Sequence, residues 1–363
     1  MNKIRIIDFG DVNWLDSQAI YHAVAHTFNE ETPDTLTIMS PIQTYACIGY
    51  FQDLKKEIDT EFCLQNNIPV IRREVGGGAV LLDRDQLFFH FIFNKDKLTR
   101  DINKLYSMFL EPAINTYNRL GIKAYHRPIN DIQVESRKIG GTGAVEIGGA
   151  MVVVGSFMFD FNYELMVKIL KIPTEKFRDK LYQNVKDYIT NIKRESGYLN
   201  IPIPSRDEVK SIFFDEVGKK FSAFMDISGS LDDNEQKKLK EMRIKLTGSE
   251  WLDKKGKFLD RKVKVSSGVY IYEGNFKSPG GLIRATFTVK DNDIADIDIS
   301  GDFTLMPQES LTEIENAIRG LIDYNLMALR LKAVYERFEI RSPGVVPEDF
   351  VSAIKNVLEK PVS

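Results

Sequence analysis

The sequence predicts an α+β protein in two parts, a larger domain over residues 1–248 and a small α+β domain over 249–363. A chain of 363 residues fits one large domain plus a smaller one, or two unequal domains. In the first part, β-like runs are interleaved with segments of helical period. Near Gly248 the composition shifts, and a cluster of strand-like runs is followed by helical patterns. A hydrophobic fraction of 43% is ample for packed cores.

"IRIIDF" (4–9) reads as a first strand. "WLDSQAIYHAVAHTFNEE" places Ile20, Ala23, Val24 and Phe28 on one helical face, with Asp16 or Ser17 as N-cap. "DTLTIMSP" and "YACIGYFQD" read as strands with Pro41 between them. "DTEFCLQNNIPVIRREV" reads as a helix ending near Asn66 and Asn67, then a strand through Val70 and Ile71. "GAVLLDRDQLFFHFIFN" reads as a hairpin turning at "DRD". "INKLYSMFLEPAINTYNRLG" carries Leu105, Met108, Phe109, Ile114 and Leu120 at near-helical spacing, closed by Gly121. Residues 130–161 are glycine-rich and strand-like, with "ESR" as a turn. Residues 163–245 look mainly helical, interrupted at Pro202 and Pro204. The charged stretch "WLDKKGKFLDRK" joins the two parts. Beyond it, "VYIYEG", "LIRATFTV" and "IADIDISGDF" look like a small sheet. "SLTEIENAIRGLIDY" has Ser310 and Glu313 at capping-box spacing and Leu311, Ile314, Ile318 and Leu321 as its buried stripe.

Lys and Arg number 49 against 52 Asp and Glu, a formal charge of −3, so wholesale nucleic-acid binding is not expected and any anion site is local. Neither Cys47 nor Cys63 belongs to a CxxC pair, which weakens zinc and redox-motif readings and fits a reduced, cytoplasmic protein. No apolar run approaches the roughly 20 residues that span a bilayer, so no membrane association is expected. The apolar stretch in "MNKIRIIDFGDVNW" is too short and too broken by charge for a signal peptide.

Two stretches carry chemistry. In "RREVGGGAV", Gly76, Gly77 and Gly78 permit positive φ and close approach of the backbone to a ligand, and successive N–H groups in such a turn can converge on an oxygen. Arg72 and Arg73 cannot lose their charge and suit phosphate geometry. These residues describe either a cradle for a phosphate or activated carboxylate, or a tight hairpin entry in which the glycines merely avoid clashes. The stretch is neither a Walker A loop nor a GxGxxG fingerprint. In "NDIQVESRKIGGTGAV", Asn130 and Asp131 supply oxygen ligands, and an acidic residue beside phosphate commonly holds Mg²⁺. Lys138 follows after one turn, on an adjoining strand, and is either a cation that stabilises charge developing on a phosphoryl or acyl oxygen or a solvated strand lysine. Gly140, Gly141 and Gly143 directly after it again indicate close backbone approach.

"RREVGGGAVLLD", "NDIQVESRKIGGTGA" and "VVVGSFMFD", in this order, resemble lipoate–protein ligases of the biotin/lipoate ligase superfamily. "KSPGGLIRATFTV" and "GDFTLMPQESLTEIENAIRGL" resemble the accessory domain of these ligases. The resemblance implies a large mixed-sheet catalytic domain flanked by helices, 1–248, binding lipoate and ATP, and a C-terminal accessory domain, 249–363. It implies that ATP and Mg²⁺ activate lipoate as lipoyl-adenylate, and that the lipoyl group passes to a lysine of an acceptor lipoyl domain, in a 2-oxoacid dehydrogenase E2 subunit or the glycine cleavage H protein. Carried over by motif, Arg72 and Arg73 belong to the nucleotide-binding set, with Arg73 on phosphate. Gly76, Gly77 and Gly78 line the lipoyl-adenylate tunnel, and Gly78, Ala79, Val80 and Leu81 meet the nucleotide. Asn130 and Asp131 sit at the metal or phosphate end, with Asp131 as metal ligand. Lys138 bridges acyl carbonyl and α-phosphate, and Gly140 and Gly141 follow it in the site.

Three positions depart from the family pattern: Val75 in place of Ser or Thr, "GGTGA" in place of "SGSAQ" or "AGSAQ", and Val154 in place of a histidine. His90, in "LFFHFIF", reads as a packed strand histidine, and His126 as structural or positioning. Cys47 reads as a small buried hydrophobe. Competing readings are an ATP-independent octanoyl or lipoyl transferase, a biotin ligase, and a non-catalytic carrier-domain binding protein. The transferase uses a cysteine nucleophile, and the segment before "NDIQV" has none.

Overall fold

The computed structural model describes residues 2–172, 174–255 and 270–358. The chain forms two compact units. The first comprises the chain up to Cys47, Asp59–Ile71 and Val80–Thr247. The second comprises Ile48–Ile58, Arg72–Ala79 and the chain from Gly248 onward. The change of composition at Gly248 coincides with a unit boundary, but two short segments from the first 80 residues also belong with the C-terminal part. They join it by side-chain packing and hydrogen bonds, which leave no mark on local composition.

The strands, in chain order, are β1 (Asn2–Val12), β2 (Thr35–Pro41), β3 (Tyr45–Ile48), β4 (Val70–Arg72), β5 (Val80–Leu82), β6 (Gln86–Asn94), β7 (Ala124–Arg127), β8 (Asp131–Val134), β9 (Arg137–Ile147), β10 (Ala150–Met158), β11 (Ala223–Asp226), β12 (Tyr270–Ser278), β13 (Gly281–Lys290) and β14 (Asp293–Gly301). The first unit is built on an eight-stranded sheet of order β11-β1-β2-β6-β10-β9-β8-β7. Its β1 pairs in parallel with β2 and β11, and the remaining pairs are antiparallel. This is the large mixed sheet flanked by helices that the family resemblance implies.

Strand β6 shows why both faces of this sheet are covered. Its residues alternate sides, as the strand period requires. Phe89, Phe91 and Phe93 join Phe109, Phe213 and Phe221 from helices Ile102–Arg119 and Arg206–Phe221, with ring centroids 4.9 Å apart for Phe89–Phe213 and 5.1 Å for Phe91–Phe109. Phe88 and His90 face the other way, toward Ile20 and Tyr21 of helix Asp16–Thr27. Such aromatic pairs add about 0.5–1.5 kcal/mol each beyond the area they bury.

Several local expectations are corrected. "GAVLLDRDQLFFHFIFN" is not a paired hairpin: β5 pairs with β3 in a separate three-stranded sheet of order β4-β3-β5, and β6 joins the large sheet. Strand β11, within the region expected to be helical, adds a parallel edge to β1. The first helix is capped by neither Asp16 nor Ser17. Asn13 Oδ1 accepts from the Asp16 N–H at 2.9 Å, while Asp16 pairs with Arg243 at 2.6 Å. The Ser310–Glu313 capping box does not form, because Ser310 lies inside the helix Ser310–Ile318 and its Oγ is buried without a hydrogen-bond partner.

The second unit carries the antiparallel meander β12-β13-β14 and helices Ser310–Ile318, Tyr324–Arg337 and Pro347–Leu358. Its core includes Ile283, Phe287, Ile299, Ile314, Ile318 and Phe350, with Phe51 stacked on Phe303 at 4.9 Å. Most of "WLDKKGKFLDRK", and Val269 of "VYIYEG", lie outside the described residues.

Candidate active site

In the first unit, β8 and β9 bring Asn130, Asp131, Lys138, Gly140 and Gly141 together. Asp131 pairs with Gly141 and Ile132 with Gly140 across the ladder, and the register shifts between Ile132 and Gln133, after which Lys138 lies opposite Gln133. The Lys138 ammonium reaches Asp131 Oδ1 at 2.6 Å, the two side chains being 29% and 19% exposed. Gly141 leaves room for the lysine stem, since a Cβ there would stand 3.1 Å from Lys138 Cε. Gly140 has ordinary space around it, with nothing nearer than 3.5 Å to its missing Cβ. Asn130 is held by Thr142: its amide donates to the Thr142 carbonyl, and Thr142 Oγ1 donates back to the Asn130 carbonyl at 2.7 Å. The second oxygen of Asp131 accepts from the Tyr188 hydroxyl at 3.0 Å. Burial and the adjacent Asp131 charge hold the Tyr188 phenol above its usual range, which keeps it a donor.

Sequence reasoning missed Thr142 and Tyr188. Thr142 sits inside the "GGTGA" departure and so had a local signal. Tyr188 ends the helix Glu175–Tyr188, far along the chain, and had none.

The glycine stretch divides between the units. Val80 and Leu81 lie on β5 of the first unit, and Arg72 through Ala79 belong to the second. Arg72 is fully buried. Its guanidinium donates to the carbonyls of Gly49, Tyr50, Gln52, Trp251 and Leu252 at 2.6–3.1 Å, while the Trp251 indole donates back to the Arg72 carbonyl at 2.8 Å. The fixed fork of donors here joins three chain segments into one unit. Arg73 Nη2 donates to the Gly76 and Gly78 carbonyls at 2.8 and 2.9 Å, and the Gly77 N–H donates to the Phe303 carbonyl at 3.2 Å. Gly77 has φ +89°, and a Cβ on Gly76 would stand 2.7 Å from the Phe303 carbonyl oxygen. Packing within the second unit therefore accounts for the absence of a side chain at Gly76, and the backbone conformation accounts for Gly77. Gly78 has only Asp302, at 3.8 Å, near its missing Cβ, so protein contacts leave its glycine unexplained.

Residues 13–218 match the lipoyl protein ligase A/B catalytic domain. The chain belongs to this family. Lipoate–protein ligase 2 of Staphylococcus aureus is 27% identical over 75% of this chain and 76% of its own. Octanoyltransferase LipM of Clostridioides difficile is 25% identical over 70% of this chain and all of its own. Among solved structures, P. falciparum LipL1 in complex with lipoate covers 93% of this chain and 98% of its own (TM-score 0.64, 17% identical). The bipartite lipoate protein ligase described with its E2 lipoyl domain, from Thermoplasma acidophilum, covers 69% and 95% (TM-score 0.61, 23% identical). Lipoate-protein ligase A bound with ATP covers 69% and 97% (TM-score 0.57, 21% identical). At these identities the three structures share the fold with this ligase-family chain.

The relatives of this chain include both a lipoate–protein ligase and an octanoyltransferase, so the state of the thiols matters. Cys47 and Cys63 are both buried, and burial reinforced by Asp59 pushes the Cys63 thiol up to about 11. His126 has one ring nitrogen 2.9 Å from the Ile129 carbonyl and the other 3.3 Å from Ser107 Oγ. His90 is fully packed, with its Nδ1 2.9 Å from Thr37 Oγ1. Among the described residues no three His, Cys, Asp or Glu side chains cluster to hold a metal, and no helix is long and apolar enough to cross a membrane.

Proposed function

We propose that this protein is an ATP-dependent lipoate–protein ligase. The observation that carries this reading is the Lys138 ammonium, fixed by Asp131 at 2.6 Å yet still reachable by solvent. In the first step a lipoate carboxylate oxygen attacks the α-phosphorus of ATP, and pyrophosphate leaves with the electron pair of the broken P–O bond. In the second, the amine of an acceptor lysine attacks the acyl carbonyl, AMP leaves, and the amine loses a proton. Both steps build negative charge on oxygens beside the acyl–phosphate link. A cation held in place beforehand stabilises that charge without reorganising, an effect worth about 2.7–4 kcal/mol for a single donor.

Both Asp131 oxygens are engaged, one by the Lys138 ammonium and one by the Tyr188 hydroxyl, so a Mg²⁺ ion shared with substrate phosphates would use only the lone pairs these contacts leave. Asp131 would hold the ion with Asn130 beside it, and the ion would neutralise phosphate charge. Arg73 is the nucleotide-phosphate residue of the motif, and Gly78, Ala79, Val80 and Leu81 are its nucleotide-facing residues. Arg72 is a structural residue, since its donors are directed at backbone carbonyls. The acceptor is a lipoyl domain, of an E2 subunit or an H protein, in keeping with the partner named for the Thermoplasma relative. The likeness to LipM supports the transferase as second reading. It is the weaker one, because that chemistry needs an accessible thiolate, whereas Cys47 and Cys63 are both buried.

Incubation with ATP, Mg²⁺ and either lipoate or octanoate, read by mass spectrometry, tests the proposal. Acyl-AMP and pyrophosphate are expected. Their absence, with acyl transfer from an acylated carrier protein in the absence of ATP, would establish the transferase instead. Cys47→Ala and Cys63→Ala are expected to remain active as ligases.

A further inference from the structure

Beyond Lys138 and Asp131, a third side chain enters this site from a helix that no motif marks. We propose that Tyr188 is a positioning residue: its hydroxyl fixes Asp131, and Asp131 in turn fixes the Lys138 ammonium. The inference rests on the ligase reading of Lys138 given above.

The hydroxyl of Tyr188 is fully used. It donates to Asp131 Oδ2 at 3.0 Å and accepts from Arg127 Nη1 at 3.2 Å and from Gln133 Nε2 at 3.5 Å, which fills one donor and two acceptor positions. The partners come from β7 and β8, so one atom is held from two neighbouring strands of the sheet. The residue is 39% exposed. A tyrosine present only for packing buries its ring and turns its hydroxyl to water, whereas this one turns its hydroxyl to the carboxylate.

The backbone beside Tyr188 is anchored to the lysine itself. The Thr190 N–H donates to the Lys138 carbonyl at 2.9 Å, and Ile189 bridges Lys138 in parallel. One residue further back, Arg137 forms a two-pronged pair with Glu195 at 3.0 and 3.1 Å, and Thr190 Oγ1 donates to the same carboxylate. Residues 188–195 therefore grip the lysine strand by main chain and side chain at once. With Asp131 oriented from one oxygen by Tyr188, its other oxygen faces Lys138 at 2.6 Å. Without that hydroxyl the carboxylate can rotate about its Cα–Cβ and Cβ–Cγ bonds, and the ammonium loses its fixed partner.

The test is a double-mutant cycle in single-turnover acyl-adenylate formation with radiolabelled lipoate and ATP, comparing wild type, Tyr188→Phe, Asp131→Asn and the double variant. Tyr188→Phe is expected to lower the maximal rate about tenfold, with KM for ATP and for lipoate unchanged and the melting temperature unchanged. In the Asp131→Asn background the same change is expected to cost nothing further. A wild-type rate in Tyr188→Phe, or an equal loss in both backgrounds, would overturn the inference while leaving the ligase reading intact. Tyr188→Ala separates hydroxyl from ring: a loss matching that of Tyr188→Phe assigns the effect to the hydroxyl, and a loss seen only in Tyr188→Ala assigns it to packing and also overturns the inference. If the wild-type protein makes no acyl-adenylate, the ligase reading fails, and the inference with it.

Discussion

Gly141 lies beneath the side chain of Lys138, and a Cβ at position 141 would stand 3.1 Å from the lysine Cε and 3.3 Å from its Nζ. The lysine stem crosses the strand at the position where the strand has no side chain, and the ammonium ends 2.6 Å from Asp131. Lys138→Ala is expected to fold normally and to slow adenylate formation and acyl transfer by at least about a hundredfold, the scale of losing one fixed oxyanion stabiliser. Gly141→Val should produce part of the same loss by displacing the ammonium. Pyrophosphate release measured for each variant checks both. Wild-type release from Lys138→Ala would remove the lysine from the mechanism.

Arg73 and Gly77 should fail in different ways. Gly77→Val forces a branched residue into a φ of +89° and toward the Arg73 guanidinium, so it should disturb the whole turn and weaken both ATP and lipoate. Arg73→Ala should weaken ATP far more than lipoate, because a polyphosphate offers a planar guanidinium several oxygens and lipoate only one carboxylate. Calorimetric titration of each variant with each ligand measures the asymmetry. Equal losses for both ligands in Arg73→Ala would leave the turn a structural element.

Arg72 is predicted to matter for stability rather than for ligand. Removing its guanidinium strips a donor from five carbonyls, and the three buried ones, of Gly49, Tyr50 and Gln52, would each cost about 1–3 kcal/mol if left unsatisfied. Arg72→Ala should lower the melting temperature sharply, and Arg72→Lys should recover little, since an ammonium cannot reproduce the fork. An unchanged melting temperature together with lost ATP affinity would return Arg72 to the nucleotide site.

His90 makes part of the stability pH-dependent. Burial, with His22 adding a smaller effect, lowers its pKa from 6.5 to about 3. The folded state therefore favours the neutral ring, while an unfolded chain takes up a proton below pH 6.5. The stabilisation is complete above pH 6.5 and is lost as the pH falls toward 3, by roughly 1.4 kcal/mol per pH unit. Asp83 acts oppositely, because burial raises its pKa from 3.8 to about 6 and its contribution is lost as pH rises through that value. Comparing wild type with His90→Leu isolates the histidine. Between pH 7 and pH 5 the variant should lose about 2 kcal/mol less stability than wild type in denaturant titrations, and parallel curves would refute this.

The fold class and the neighbouring placement of Asp131 and Lys138 were legible in the sequence by itself. The 3.6-residue period running through Leu105 and Phe109 reports the buried face of that helix, because solvent exclusion acts residue by residue, and the near-continuous apolar run "LFFHFIF" goes with a strand buried on both faces. "NDIQVESRKIGG" likewise placed Asp131 and Lys138 on adjoining strands, because a tight turn at Glu135–Ser136 leaves the chain little choice, and that placement is seen. What only the tertiary structure decided rests on contacts distant in sequence. Arg72 and Arg73 are indistinguishable as neighbours in a motif. One is spent on carbonyls up to 180 residues away and the other curls over the glycine turn, because successive side chains leave an extended backbone in opposite directions. Tyr188 reaches Asp131 across 57 residues. No period or spacing announces it, since the contact exists only once the helix has packed beside the sheet.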